Sequence, residues 1–250
     1  MLYKNMKKIL RILLVLCLLS QPLVVTSKEN PFVGKIIALD AGHGGEELGA
    51  QYPANSGWEG TVYEKDINLA VVYGYKQKLE ENGACVVLTR ECDETIPSRK
   101  TRVSIAESKC QSECGGDCDV LISVHHNGNI DPDYNGTLVI YNERQDVPLA
   151  NTMLSALSPM TDNNEGFLHG GYGMTIFGHL VSVITEAYYT TNTNEADTYL
   201  AGILTNVCSD HSVLVGDRIN EEVDALYLGL SNYFALPIDD KPNRSSHNSR

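Results

Sequence analysis

Short apolar runs alternate along the chain with segments whose apolar residues recur at helical spacing. A short apolar run that ends at polar residues or at glycine is typical of a β-strand. Five runs fit this description: KIIALD (35–40), ACVVLTR (84–90), DVLISVHHN (119–127), GTLVIYN (136–142) and LVSVITE (180–186). The third run is apolar at most positions, which indicates a strand buried on both faces.

Helical spacing predicts helices between these strands. A long helix begins at Glu64 and ends before Gly83, where glycine provides a stop. Four further helices are predicted: over residues 98–109, over residues 148–158, from about Glu195 with Asn194 or Thr193 as its cap, and along the apolar face Val223, Leu226, Tyr227, Leu230 and Phe234.

Strands that alternate with helices are typical of α/β folds, in which helices cover a mostly parallel sheet. The sequence shows no internal repeat and no linker-like stretch that would separate two halves. We therefore predict a single domain over residues 28–236. It is expected to be an α/β three-layer sandwich, with a central, largely parallel sheet flanked by helices.

Chemically useful side chains stand at the ends of three predicted strands. His43 follows the first strand, His125 and His126 end the third, and Glu186 closes the last. Glu64 opens the first long helix. Because ligands gather at the carboxyl ends of parallel strands, we expect these groups to lie along one edge of the sheet. Neighbouring strand residues face opposite sides, so the two adjacent histidines are not expected to serve the same centre.

Two imidazoles and one carboxylate form a common ligand set for catalytic zinc, whose fourth position is left to water. His43, Glu64 and one of the adjacent histidines match this set. Glu46, Glu47 and Glu59 lie near in the sequence, but only Glu64 opens a helix. Loop, groove or surface positions are expected for the other histidines, which are His169, His179, His211 and His247.

Residues 1–27 have the features of an export signal. A basic stretch precedes a mostly apolar run over residues 9–25, and residues 25–27 offer a small-residue cleavage site. A retained membrane anchor is the alternative, although Gln21 and Pro22 interrupt the apolar run. We expect a secreted or cell-envelope protein that contacts a membrane only if this segment is retained.

The chain is acidic, with a net charge of −13 that becomes −17 if the leader and its four basic residues are removed. Such a charge repels nucleic acid and anionic membrane surfaces. We therefore expect no nucleic-acid partner. Residues 237–250 contain few apolar side chains and are expected to form a polar, loose tail.

Seven cysteines are present, and six remain when Cys17 of the leader is set aside. In an exported protein an even number of cysteines suggests disulfides, although the sequence does not reveal their pairing. Cys110, Cys114 and Cys118 are each separated by three residues, a spacing that matches no common zinc site well. We expect at least one disulfide that involves one of these three cysteines, in a stapled surface loop.

Four stretches carry a resemblance to a known family: LDAGHGG (39–45), YEKDINL (63–69), LISVHHN (121–127) and VITEAYYTTNTNEA (183–196). In this order they resemble the motifs of zinc-dependent N-acetylmuramoyl-L-alanine amidases of the amidase-3 type. The resemblance extends from about Lys35 to Phe234. It implies a peptidoglycan hydrolase that cleaves the amide bond between N-acetylmuramic acid and L-alanine of the stem peptide.

The resemblance also implies roles for single residues. His43, Glu64 and His125 match residues that bind one zinc ion per chain, and Glu186 matches a glutamate that acts on water beside the metal. His126 stands where the family often has a small residue. It is therefore expected to be a bystander, a support for the ligands or a substrate contact.

Other positions differ in how well they match the family. Arg102 matches a family arginine and is expected to form a structural ion pair. Residues 46–63 form a longer segment than the family usually has, and Ala187 stands where glycine is common. Candidates for lining the substrate groove are Trp58, Tyr188 and Tyr189.

Two other functions fit part of the pattern. A catalytically inactive wall-binding or regulatory homologue would be expected to lack one of the four site residues, and all four are present. An exported zinc carboxypeptidase would need a pocket, often built on arginine, for a free carboxylate, and no arginine is obviously placed for one. The oligomeric state and the biological occasion are left open by the sequence.

Overall fold

The structure is a computed structural model, which describes residues 30–54, 61–178 and 180–237. The strands are β1 (Ile36–Ala41), β2 (Gln51–Tyr52), β3 (Val62–Tyr63), β4 (Cys85–Leu88), β5 (Val120–Asn127), β6 (Thr137–Tyr141), β7 (Asn164–His169), β8 (Ser182–Tyr189), β9 (Ile203–Asn206) and β10 (Ser212–Val215). The α-helices are α1 (Glu64–Glu81), α2 (Arg99–Cys114), α3 (Val147–Leu157), α4 (Thr193–Leu200) and α5 (Asp217–Ala235). Two short 3-10 helices span Arg144–Asp146 and Ser158–Met160.

Several sequence predictions lie outside the described residues. They concern the leader, Trp58, Glu59, His179, His247 and the tail beyond residue 237. Within the described ranges, no helix combines the length and the apolar character that crossing a membrane requires.

A six-stranded sheet in the order β4-β1-β5-β8-β6-β7 forms the centre of the fold. Strands β4, β1, β5 and β8 pair in parallel. Strand β6 pairs antiparallel with β8 and parallel with β7, so these two strands run in the opposite direction. The carboxyl ends of the four parallel strands therefore meet at one edge, as predicted for a largely parallel sheet.

Helices cover both faces of this sheet. Ile122 and Val124 of β5 belong to the larger core cluster, to which α1, α3 and α5 also contribute. Leu121 points the other way and packs in a smaller cluster with Val103 and Ala106 of α2. The alternation of side chains along β5 thus separates two apolar layers. The predicted three-layer sandwich is confirmed.

Three predicted boundaries differ from the structure. Helix α2 runs five residues past the predicted end at Lys109, to Cys114, and stops where Gly115 adopts a left-handed φ of 78°. Strand β8 continues beyond Glu186 because Tyr189 still pairs with Asn127 of β5. Helix α4 is capped by Asn192, not by Asn194 or Thr193, since the Asn192 side chain accepts from two backbone N–H groups of the first turn.

Three disulfides link the six cysteines: Cys85–Cys114, Cys92–Cys208 and Cys110–Cys118. The expected disulfide that involves a clustered cysteine is present, since two of the three disulfides do so. The cluster is not wholly a loop, however, because Cys110 and Cys114 lie one turn apart on α2. Cys110 pairs with Cys118, which follows the helix, and Cys114 pairs with Cys85 of β4.

Candidate metal centre and active site

The turn after β1 carries His43 to the carboxyl edge of the sheet. His43 has a φ of 59°, in the left-handed region that residues other than glycine seldom adopt. At Gly42 a β-carbon would collide with the ring of His125, so only glycine allows this close approach. The local backbone is therefore shaped to bring two imidazoles together, and their ring centroids lie 4.8 Å apart.

Glu64 stands between the two imidazoles. Its Oε2 lies 3.1 Å from His43 Nε2, and its Oε1 lies 2.9 Å from His125 Nδ1. The backbone N–H groups of Ala50 and His126 donate to the same carboxylate, at 2.8 and 3.1 Å. These contacts hold both oxygens in place at the start of α1.

The electrostatic setting keeps Glu64 ionised. Burial alone would raise the pKa of Glu64, but hydrogen bonds and electrostatic attraction from His125 and His43 outweigh it and hold the pKa well below its usual range. An ionised carboxylate is the form that binds a cation.

One nitrogen each from His43 and His125 and one oxygen from Glu64 lie within 4.8 Å of one another. Imidazole nitrogen and carboxylate oxygen are ligands that zinc accepts, and three protein ligands are typical of catalytic sites. The imidazole side chains are 28% and 22% exposed, whereas that of Glu64 is 5% exposed. The donor set thus fits a zinc ion that is reached by substrate from the side of the histidines.

Glu186 lies on β8 directly opposite His125 of β5. The residue is half-buried, and its Oε2 is buried without a hydrogen-bond partner among the described residues. Burial raises the pKa of Glu186 well above its usual range, and the negative charges of Glu64 and Glu165 add to this effect. Glu222 Oε1 is likewise buried without a partner, but only Glu186 of these two residues lines the cavity, and this access favours a role in chemistry.

His126 faces away from this group, as the alternation along a strand predicts. It is 1% exposed and lies between β5 and the helices α1 and α5. Its Nδ1 is 2.7 Å from Asn68 Oδ1, and its Nε2 is 2.8 Å from Glu222 Oε2. The His126 side chain is therefore an interior group that reaches the site only through Asn68, whose Nδ2 donates to Glu64 at 3.3 Å, while the His126 backbone N–H contacts Glu64 directly.

A buried ion pair supports the turn that bears His43. Arg102 Nη1 lies 2.9 Å from Asp40 Oδ1, and Nη2 donates to the backbone carbonyl of His43. Ser123 Oγ donates to the other oxygen of Asp40 at 2.6 Å. The ion pair expected of Arg102 is present. Sequence reasoning missed its partner, although Asp40 stands inside the LDAGHGG stretch.

A cavity of about 620 Å³ opens over the candidate metal centre and is lined by His43, His125 and Glu186. Residues 96–100, which include the start of α2, form part of its lining. Much of the rest is apolar and comprises Ile140, Tyr172, Met174, Phe177 and Ile184. The sequence predicts none of these wall residues, because no local pattern distinguishes them from ordinary surface or core positions.

The other residues that the sequence singles out do not join the candidate metal centre. Tyr188 is buried against His126, with ring centroids 4.3 Å apart, and Tyr189 donates to Glu165, so neither lines the cavity. His211 lies 3.0 Å from Asp66, and His169 lies 3.0 Å from the carbonyl of Asn142. Glu47 lines the cavity, but only Glu64 contacts both imidazoles.

Comparisons with known proteins identify the family of this chain. Residues 37–201 match the model of the family described as N-acetylmuramoyl-L-alanine amidase. The uncharacterised protein YqiI of Bacillus subtilis (strain 168) is 30% identical over 181 residues, which cover 67% of this chain and 76% of YqiI. The N-acetylmuramoyl-L-alanine amidase LytC of the same organism is 28% identical over 178 residues, which cover 69% of this chain but 33% of LytC.

A solved structure also matches. The catalytic domain of CwlV, an N-acetylmuramoyl-L-alanine amidase from Bacillus (Paenibacillus) polymyxa var. colistinus, superposes with a TM-score of 0.64 at 25% identity. The match covers 81% of this chain and 99% of the CwlV domain. With the family match extending over most of the sheet and the whole candidate site, the chain belongs to the N-acetylmuramoyl-L-alanine amidase family.

Proposed function

We propose that this protein is a zinc-dependent peptidoglycan amidase, which hydrolyses the bond between N-acetylmuramic acid and L-alanine of the stem peptide. The observation that carries the proposal is the convergence of His43, Glu64 and His125 beside Glu186, whose Oε2 is buried without a hydrogen-bond partner among the described residues. Membership of the amidase family supports the choice of the bond.

An amide is a poor electrophile, and water at neutral pH is a poor nucleophile. His43, Glu64 and His125 would hold one zinc ion per chain, which when bound would polarise the carbonyl as a Lewis acid and lower the pKa of water to about 7. Two neutral imidazoles and one carboxylate leave such a site with net positive charge, which suits the negative charge that develops on the carbonyl oxygen.

Glu186 acts as the proton carrier in this proposal. It accepts a proton from the attacking water and returns it to the departing amine, while the new C–O bond forms and the C–N bond breaks. The products are the free lactyl carboxylate of the sugar and a peptide with an L-alanine amino terminus. Glu186 is not assigned as a ligand, since a fourth protein ligand would close the position that water needs.

The substrate partner in this proposal is peptidoglycan, outside the cytoplasm. Residues 1–27 serve as the export signal or a retained anchor, and residues 28–236 form the catalytic domain. The three disulfides suit an oxidising compartment. The chain spans about a third of LytC, so the activity of that whole protein is not carried over by similarity alone.

Two alternatives make different predictions. An inactive homologue would bind the wall without cleaving it. A zinc carboxypeptidase would anchor a terminal carboxylate near the metal. No arginine is obviously placed for a carboxylate in the sequence, but Arg99 lines the cavity. The family match nevertheless favours the amidase over the carboxypeptidase.

The test is a digest of purified peptidoglycan followed by mass spectrometry of the new end groups. We expect stem peptides with a free L-alanine amino terminus, no release in the presence of a chelator, and recovery on addition of zinc. Release of single carboxyl-terminal amino acids would indicate the carboxypeptidase instead. Binding to the wall without any new end group would indicate the inactive homologue.

A further inference from the structure

Most basic side chains in the described part of this acidic protein are already neutralised. Lys65, Lys76, Lys78, Lys109, Arg102 and Arg218 form ion pairs with carboxylates. Among the described residues, three exposed bases form no ion pair: Arg99, Lys100 and Arg144. Two of these three are neighbours in sequence, and both line the cavity of the candidate metal centre.

The position of Arg99 and Lys100 does not suggest a structural role. They occupy the first turn of α2, which contains no acidic residue. Cations are disfavoured near the positive end of a helix dipole, so neither side chain is stabilised by the helix. Glu47 lines the same cavity, but it forms no ion pair with either base.

The lining of the cavity therefore combines two unlike kinds of side chain beside one reaction centre. Arg99 and Lys100 are cationic, while Tyr172, Met174 and Phe177 are largely apolar. In a chain with a net charge of −13, two free cations form a local anion site that the bulk charge does not provide. A ligand with a carboxylate close to the reacting amide fits this arrangement.

We propose that Arg99 and Lys100 bind a carboxylate of the stem peptide and so select the substrate. This inference rests on the proposed amidase function. In peptidoglycan the residue after L-alanine is a γ-linked D-glutamate, whose α-carboxyl is either a free carboxylate or a carboxamide. The guanidinium of Arg99 can hold a carboxylate with two parallel N–H···O bonds, and Lys100 adds a second positive charge. Stem peptides with the free carboxylate are the preferred class.

The experiment compares two muropeptides of equal length that differ only in this carboxylate or carboxamide. We expect the wild-type protein to cleave the free-acid form with a kcat/KM about tenfold higher, consistent with one or two partly exposed ion pairs. In the Arg99→Gln/Lys100→Gln variant, KM for the free acid should rise about tenfold and the preference should approach one. Higher ionic strength should narrow the wild-type preference, since exposed charges are screened by salt.

Arg144→Gln is the matched control, because it removes an exposed, unpaired base that does not line the cavity. It should retain the full preference, and Arg99→Lys should retain part of it. Zinc content measured on each variant separates recognition from loss of the metal. Equal cleavage of both muropeptides by the wild-type protein, or an unchanged preference in the double variant, overturns this inference alone. Release of carboxyl-terminal residues, or no cleavage of either muropeptide, overturns the proposed function and this inference with it.

Discussion

His126 Nε2 lies 2.8 Å from Glu222 Oε2, and both side chains are 0% exposed. This contact joins β5 to α5 across the core, on the face of the sheet opposite the cavity. The residue next to a proposed metal ligand therefore belongs to the interior framework. Adjacent histidines in one strand serve two different purposes because the strand alternates its faces.

Loss of His126 is expected to affect stability more than metal binding. In His126→Ala, Glu222 remains buried without its partner, so we predict a loss of about 3 kcal/mol in the free energy of unfolding. Urea denaturation monitored by circular dichroism measures it. Replacing both partners by leucine should recover part of the loss, because two apolar groups leave no unpaired charge. Unchanged stability in His126→Ala would contradict the structural role.

Glu186→Gln separates metal binding from chemistry. Glutamine keeps the size of the side chain but cannot accept a proton, so we predict retained zinc and a kcat reduced by roughly 10² or more. That reduction corresponds to about 2.7 kcal/mol of activation free energy. Metal content is measured beside turnover on purified peptidoglycan. Near-normal turnover would exclude Glu186 as the proton carrier, and lost zinc would make it a ligand.

Asp40 is expected to contribute to acid sensitivity. Burial acts to raise its pKa, but the charge of Arg102 and hydrogen bonds from Ser123, Thr89 and Arg102 outweigh it, so the pKa lies below the ordinary value of 3.8. A carboxyl with a lowered folded-state pKa gives stability that is fully present above the unfolded pKa and lost as the pH falls through the folded pKa.

Urea denaturation at a series of pH values below about 4 tests this contribution. Asp40→Asn should be less stable than the wild type at neutral pH, because Arg102 loses its buried partner. The stability of the variant should also fall less steeply with acidification. If the free energy of unfolding falls with pH equally steeply in the two proteins, Asp40 does not contribute to acid unfolding.

The disulfides are predicted to differ in their contributions to stability. Cys92–Cys208 closes a loop with a sequence separation of 116, whereas Cys110–Cys118 spans 8. On a chain-entropy basis, replacing the first pair by alanine should cost about 5 kcal/mol and the second about 2.5 kcal/mol. Thermal and urea unfolding of the two double variants provide the comparison.

Alkylation of the unreduced protein is the accompanying control. None of the six cysteines described in the structure should react, because all of them are paired. Alkylation of all six would rule out this disulfide framework.

Elements with a strong local pattern are those that the sequence predicts well. The central strand β5 is apolar along most of its length, and α1 has helical spacing from Glu64 onward. The sequence does not predict β7, because NEGFLH mixes polar and apolar residues on an exposed edge and its strand geometry comes from pairing with β6. The β9–β10 hairpin escapes prediction for a similar reason, since all four residues of β9 are exposed.

The candidate site likewise has features that the sequence predicts and features that it does not. Its chemically distinctive residues stand at strand ends, and the alternation of side chains along a strand is enough to separate His125 from His126. The partners of His126 are not predictable from the sequence, because Asn68 and Glu222 lie 58 and 96 residues away in the chain. Their proximity follows from how α1 and α5 pack on the sheet. Arg99 also enters the cavity only through the placement of α2.

The central claim is that His43, Glu64 and His125 hold the zinc ion and that His126 does not. The most direct measurement is the zinc content per chain of purified His125→Ala and His126→Ala beside the wild-type protein, each refilled with zinc and dialysed. The account predicts one zinc per chain in the wild type and in His126→Ala, and none in His125→Ala. Zinc retained by His125→Ala and lost by His126→Ala would contradict it.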